Sequence, residues 1–138
     1  MQHWQAYLKA SHEIIVAAED RCNLELNVTL ESYLVHLVAR NFRKMPTSEK
    51  PIAIRFLESG SFNSSLKKQV MADIGDECLF IDGFGYRKSK WPGKTYYKDM
   101  GTLAYGSASL APPRDPLYEH LEYNFGLLSE VLHHIRTS

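Results

Sequence analysis

Only two of the 138 residues are cysteine, Cys22 and Cys78, and neither stands in a CxxC or Cys/His spacing. That excludes a zinc knuckle and a thioredoxin-like redox motif, and leaves two reduced thiols with structural roles. Charge of one sign is lacking as well: sixteen basic residues balance sixteen acidic ones, for a formal net charge of zero. The bulk attraction on which non-specific nucleic-acid binding relies is therefore missing, and nucleic acid is not an expected partner. No apolar run approaches the roughly 18 residues of a membrane span. The opening MQHWQAYLKASHEIIVAAEDR has neither the basic start nor the uninterrupted apolar centre of a secretory signal. A cytoplasmic protein with no membrane contact is the expectation. A GxSxG elbow, a P-loop and a GxGxxG turn are all absent from the sequence.

What the chain does have is helical periodicity. Apolar residues make up 44% of it and charged residues 23%, close to globular averages, and the length suits one domain over 1–138. A first helix over about 2–21 carries Trp4, Tyr7, Leu8, Ile14, Ile15 and Ala18 on one face. Residues 23–27 interrupt it. Thr29 is the expected cap of a second helix, in which Leu30, Tyr33, Leu34, Leu37, Val38 and Phe42 recur at i, i+3, i+4, i+7 and i+8. Arg40, Arg43 and Lys44 suit the negative end of its dipole. Pro51 opens a short third helix, about 51–58, which stops at Ser59-Gly60.

Ser64 or Ser65 is the expected cap of a fourth helix with Leu66, Val70, Ile74 and Cys78 on one stripe, ending between Phe80 and Phe84. The connector 86–94, YRKSKWPGK, is basic and broken by Pro92-Gly93. A fifth helix, about 95–110, shows a face of small residues, with Gly101, Ala104 and Ala108 beside Tyr97 and Met100. Prolines at 112, 113 and 116 stop it. A last helix runs over about 117–135 through Leu121, Phe125, Leu128, Leu132 and Ile135. The fold class predicted is all-α, a compact single-domain bundle of five or six helices.

Two motifs stand out: the Gly75-Asp76 pair before an apolar segment that ends at Gly83-Phe84, and the later Tyr96-Tyr97, Met100-Gly101 and Ala104-Tyr105. In their order, and in the upstream Tyr33-Leu34-Val35, the chain resembles a bacterial family of uncharacterised helical proteins over most of its length. It departs from that pattern at Gly83-Phe84-Gly85-Tyr86, where the family continues Gly-Phe-Phe. The resemblance implies a helical fold and carries no activity with it.

Glycine inside a helix costs about 1 kcal/mol relative to alanine, so Gly75 and Gly101 call for an offset. Close approach of the fourth and fifth helices is the simplest one, and space for a ligand is the alternative. Asp76, if buried beside that contact, needs hydrogen-bond donors, and Tyr97 and Tyr105 are the natural ones. Two readings follow from this. One is a satisfied polar network that fixes helix register. The other is a small polar pocket of Asp76, Tyr97 and Tyr105, to which His36 and Arg40, at i and i+4 on the second helix, contribute.

Metal chemistry has one fragment, the Glu130-Val-Leu-His133 ExxH element; a di-iron bundle needs a second ExxH, which the chain lacks, so no metal or cofactor is expected. Cys78 sits in an apolar run that blunts a thiol. The basic connector carries four cations and two aromatics, the makings of a single-strand contact, but one basic loop on a neutral protein lacks a tracking groove, and a solvated connector is the expectation. The expectation for function is a non-catalytic helical domain that binds a protein partner or forms a homo-oligomer. The alternative is a small-molecule binder or enzyme with a pocket between the helices that carry Asp76 and Tyr97.

Overall fold

A computed structural model of the chain describes residues 2–41, 50–85 and 95–135. Among these residues every regular element is helical: α1 (Gln2–Cys22), α2 (Val28–Arg40), α3 (Ile52–Glu58), a 3-10 turn (Ser59–Ser61), α4 (Ser64–Phe84), α5 (Tyr96–Leu110), α6 (Pro116–Tyr123) and α7 (Phe125–His133). The all-α expectation holds, with seven α-helices in place of five or six. The basic connector 86–94 lies outside the described residues, as do Phe42, Arg43 and Lys44.

The extra helix comes from a break at Asn124, where the sequence pattern reads as one continuous stripe. The Asn124 side chain donates to the His120 carbonyl at 2.9 Å, and its backbone N–H donates to the same oxygen at 3.0 Å. A side chain that competes for a helical carbonyl in this way interrupts the ladder. It closes α6 and lets α7 start afresh with Phe125, which is buried.

The caps also differ from expectation in their position. Asn27, not Thr29, closes the start of α2, its Oδ1 accepting from the Leu30 N–H at 2.9 Å. Asn63, not Ser64 or Ser65, does the same for α4 through Leu66. Each asparagine stands three residues before a leucine, the spacing a side-chain oxygen needs to reach the N3 donor. At its other end α4 finishes on Gly85, whose φ of 65° lies in the left-handed region that favours glycine. Its N–H returns to the Ile81 carbonyl at 2.9 Å.

The long helix α4 is central. It packs on α5, α7 and α3, while α1 packs on α2 and α7. Every residue of α4 from Ile74 to Ile81 is buried. A helix surrounded on all sides needs no polar face, which is why its amphipathic pattern fades after Gly75. One core runs through the helices, with Ile15, Leu34, Leu37, Ile74, Leu79, Tyr105, Leu121, Phe125 and Leu128 all inside it. Two polar ties join elements at its margin. Arg55 Nη2 of α3 meets Glu77 Oε2 of α4 at 2.9 Å, and Ser129 Oγ of α7 donates to Asp82 Oδ2 at 2.6 Å.

Candidate functional site

Residues of α4 and α5 interlock by exchanging small for large. The ring of Tyr105 lies where a Cβ on Gly75 would stand, 2.5 Å from that point. Reciprocally, Gly101 on α5 gives its Cβ space to the Phe125 ring, at 2.5 Å, and to Cys78 Cβ of α4, at 2.8 Å. Gly75 and Cys78 are one turn apart on α4, and Gly101 and Tyr105 one turn apart on α5. Each glycine thus receives a group from a neighbouring helix, and the cost of placing glycine in a helix is offset by packing.

The Gly75-Asp76 pair works as a unit on Tyr105. The ring crosses Gly75, and its hydroxyl ends on the next residue, donating to Asp76 Oδ1 at 2.7 Å. A second hydroxyl, that of Tyr33 on α2, donates to the same oxygen at 2.5 Å. The other oxygen, Oδ2, faces Arg40 Nη2 at 3.5 Å. Tyr118 of α6 stacks on Tyr105 with ring centroids 6.3 Å apart. Three helices, α2, α4 and α5, therefore meet at one carboxylate, and α6 packs behind Tyr105.

Burial decides the electrostatics here. Desolvation raises the Asp76 carboxyl above its ordinary value, against the pull of the Tyr33 and Tyr105 hydrogen bonds and of Arg40. The two phenols are raised as well, by their own burial and then by the adjacent carboxylate. They remain hydrogen-bond donors throughout the physiological range. Tyr105 is fully buried and Asp76 nearly so, whereas 48% of the Arg40 side chain is exposed. The centre thus has a closed interior and one half-open edge at Arg40.

Of the residues singled out from sequence, Asp76, Tyr105 and Arg40 come together. Tyr97 takes a different place: half-buried against the core, its ring meets that of Tyr96 edge-on at 5.1 Å. His36 is exposed, its Nδ1 2.8 Å from the Ser32 carbonyl and its ring 6.3 Å from Trp4. What links it to the site is its backbone carbonyl, which accepts from Arg40 Nε at 3.3 Å. The donor missed by sequence reasoning is Tyr33. It stands seven residues before Arg40 on α2, two turns along one face, and that spacing was the available signal.

The remaining reactive groups are separate. Cys78 is fully buried, and desolvation pushes its thiol up to about 12. Both cysteines are free. In the ExxH element, Glu130 is met by His134 rather than His133: His134 Nδ1 lies 2.9 Å from the Glu130 carbonyl and 3.4 Å from its Oε2. Among the described residues no three His, Cys, Asp or Glu side chains converge as a metal-holding group. Within those same residues no helix is long and apolar enough to cross a membrane. No family model, curated protein or solved structure matches the chain.

Proposed function

We propose that this chain is a cytoplasmic, non-catalytic helical module that associates with a second copy of itself along the seam of α5 and α6. The supporting observation is a set of large apolar side chains facing solvent there. Leu103 and Leu110 are 53% and 62% exposed, and Tyr123 is 88% exposed. Leu103, Gly106 and Leu110 recur at i, i+3 and i+7, so they form one stripe of α5. The Glu122 carboxylate of α6 lies 2.7 Å from where a Gly106 Cβ would stand, so this stripe borders α6. Apolar groups gathered on a surface mark contacts when they are contiguous, and tyrosine is a favoured anchor. A formal net charge of zero leaves no bulk repulsion between two copies.

The interior of the molecule supports the same reading. Asp76 is held by two tyrosines and an arginine, and Cys78 is sealed, so the polar groups are engaged in holding helices together.

Light scattering during gel filtration, over a wide range of loading concentrations, tests the proposal. A dimer that becomes monomeric in Leu110→Glu and Tyr123→Ser, with helical content unchanged, is the expected result. A wild-type monomer at the highest concentration would overturn self-association.

One observation favours a second reading, a polar small-molecule site at the Asp76 edge. The guanidinium of Arg40 is half in solvent and only 3.5 Å from Asp76 Oδ2, so an anion could reach it without unfolding the network. Native mass spectrometry of freshly purified protein, before and after denaturation, decides it. A mass lost on denaturation and absent in Arg40→Ala would support the site, and a clean polypeptide mass would remove it.

A further inference from the structure

Beside the Asp76 centre, the edge formed by α1 and α2 carries a cation and two aromatic rings in a row that the proposed interaction surface does not use. Arg40 is the last residue of α2, and its side chain turns back along the helix: Nε donates to the His36 carbonyl at 3.3 Å, and Nη2 faces Asp76 Oδ2 at 3.5 Å. That is the usual direction of a long helical side chain, and it lays the guanidinium over the turn that carries His36. Neither contact uses Nη1, and about half of the side chain is open to water. His36 is pinned in turn. Its Nδ1 lies 2.8 Å from the Ser32 carbonyl, which can only accept, so this nitrogen carries the ring proton. Trp4 of α1 faces that ring, with centroids 6.3 Å apart and planes tilted by 55°. A pair so tilted leaves the ring faces uncovered by one another, and Trp4 is 36% exposed.

The charges at this edge select the kind of anion it can take. Asp76 accepts both tyrosine hydroxyls on Oδ1, and the 3.5 Å from Oδ2 to Nη2 is at the outer limit of a hydrogen bond, so the guanidinium is not locked onto it. Asp73, the other acid that acts on Asp76 from α4, is engaged by Gln69 Nε2 at 3.0 Å. A monoanion can therefore take the fork of Arg40 without drawing either tyrosine away from Asp76. A dianion fits less well, because Arg40 stands at the end of α2, where the last carbonyls and the negative end of the dipole oppose excess negative charge.

We propose that Arg40, His36 and Trp4 form a site for a small aromatic carboxylate, whose carboxyl group pairs with the Arg40 guanidinium while its ring lies against the imidazole and the indole. This names the ligand class of the anion site at Arg40 and rests on that second reading. The guanidinium fork matches the two oxygens of a carboxylate. His36 stands one turn back from Arg40 on the same face, so a ring attached directly to the carboxylate reaches the imidazole. Two partly exposed rings next to a cation favour a planar apolar group over a bare anion: acetate would satisfy the guanidinium and leave both rings wet. Stacking of this kind is worth about tenfold in affinity.

Titration of the intact, isotope-labelled chain with sodium benzoate, sodium acetate and inorganic phosphate at constant ionic strength tests this, read from the side-chain N–H signals of Arg40 Nε and Trp4 Nε1. Benzoate is expected to move both signals along one saturable curve and to bind about tenfold more tightly than acetate, which should move Arg40 alone. Trp4→Ala should bring benzoate down to the affinity of acetate, with the Arg40 response retained. Arg40→Gln should abolish the response to both, with circular dichroism reporting that the helices persist; the Trp4→Ala comparison decides the matter where that variant does not fold. Equal affinities for benzoate and acetate, a benzoate preference that survives Trp4→Ala, or phosphate binding more tightly than benzoate would overturn the aromatic carboxylate and leave the anion reading standing. An Arg40 signal unmoved by all three would overturn both.

Discussion

Replacing Gly75 by alanine isolates the contact on which the α4–α5 interface rests. At an ordinary interior helix position the change is stabilising by about 1 kcal/mol. Here the new Cβ would stand 2.5 Å from both Cδ1 and Cε1 of Tyr105 and 2.9 Å from Cζ. Normal carbon contacts are about 3.5–4.0 Å, so the ring must retreat by about 1 Å. It has little freedom to do so, because it is fully buried and its hydroxyl is fixed on Asp76. Overpacking of this kind costs about 1–3 kcal/mol. Loosening the hydrogen bond from Tyr105 to Asp76 adds about 1 kcal/mol where the ring cannot keep it. Set against the gain in helix propensity, the expected net loss is about 2 kcal/mol, a fall in Tm of about 6 °C for a domain of this size.

Urea denaturation of Gly75→Ala, Tyr105→Ala and the double variant provides the measurement. With the ring gone, the same glycine change should become favourable by about 1 kcal/mol, so the cycle should return a large coupling between the two sites. Gly60→Ala is the control: nothing lies within 4 Å of its Cβ position, and it should be neutral or slightly stabilising. A stabilising Gly75→Ala in the wild-type background would refute the reasoning.

Ser11 is buried on α1, and its hydroxyl is without a hydrogen-bond partner. Ser11→Ala should therefore raise stability by about 1 kcal/mol in chemical denaturation, since it removes an unpaired buried polar atom. Ellman's reagent at mildly alkaline pH should modify Cys22, which is partly exposed, while Cys78 reacts only after unfolding. Two fast thiols in the native protein would contradict the packing of Gly101 against Cys78. Tyr33→Phe keeps the ring and removes one donor from Asp76; a loss of about 1–3 kcal/mol in urea titration is expected.

The parts of this fold that were legible in the sequence are those in which one side of a helix faces water. The stripes of α1 and α2 alternate with polar residues, so the limits of α1 and the start of α2 fall within a residue or two of the helices seen; at its far end α2 stops at Arg40, where Asn41 caps it, short of the expected run to Lys44. The central helix was harder to bound, because residues 74–81 are buried on every side and leave no polar face to mark a period. At Asn124 a single side chain's competition for a carbonyl divides a stripe that is continuous in pattern. The candidate site was legible through its chemistry more than its partners. A carboxylate beside a helix glycine demands donors, which led to Tyr105, but proximity along the chain also suggested Tyr97, which turns elsewhere. Tyr33 is 43 residues away from Asp76 in sequence, and only the packing of α2 on the bundle brings its hydroxyl in.

The three carboxyls that burial affects most, Glu19, Asp76 and Glu77, are all shifted in one direction, upward. Each has at least one hydrogen-bond donor, and for Glu77 the Arg55 guanidinium pulls the other way, yet desolvation is the larger effect at every one. The folded protein therefore binds protons that the unfolded chain has already released, over a window that begins just above the ordinary carboxylate range. Through that window these three groups lower stability as pH rises, each by at most about 1.4 kcal/mol per pH unit. Most domains lose stability on the acid side because their paired carboxylates have depressed values; this one should be more stable near pH 5 than near pH 8. Urea midpoints at a series of pH values are the assay. Asp76→Asn should remove one group's share of the slope, and Glu19→Gln another, independently because the two sites share no partner. A stability that rises with pH across this interval would mean that the hydrogen bonds from Tyr33 and Tyr105 outweigh the desolvation of Asp76. The carboxylate at the meeting point of three helices would then be a net source of stability when charged, rather than a group whose ionisation the fold merely tolerates.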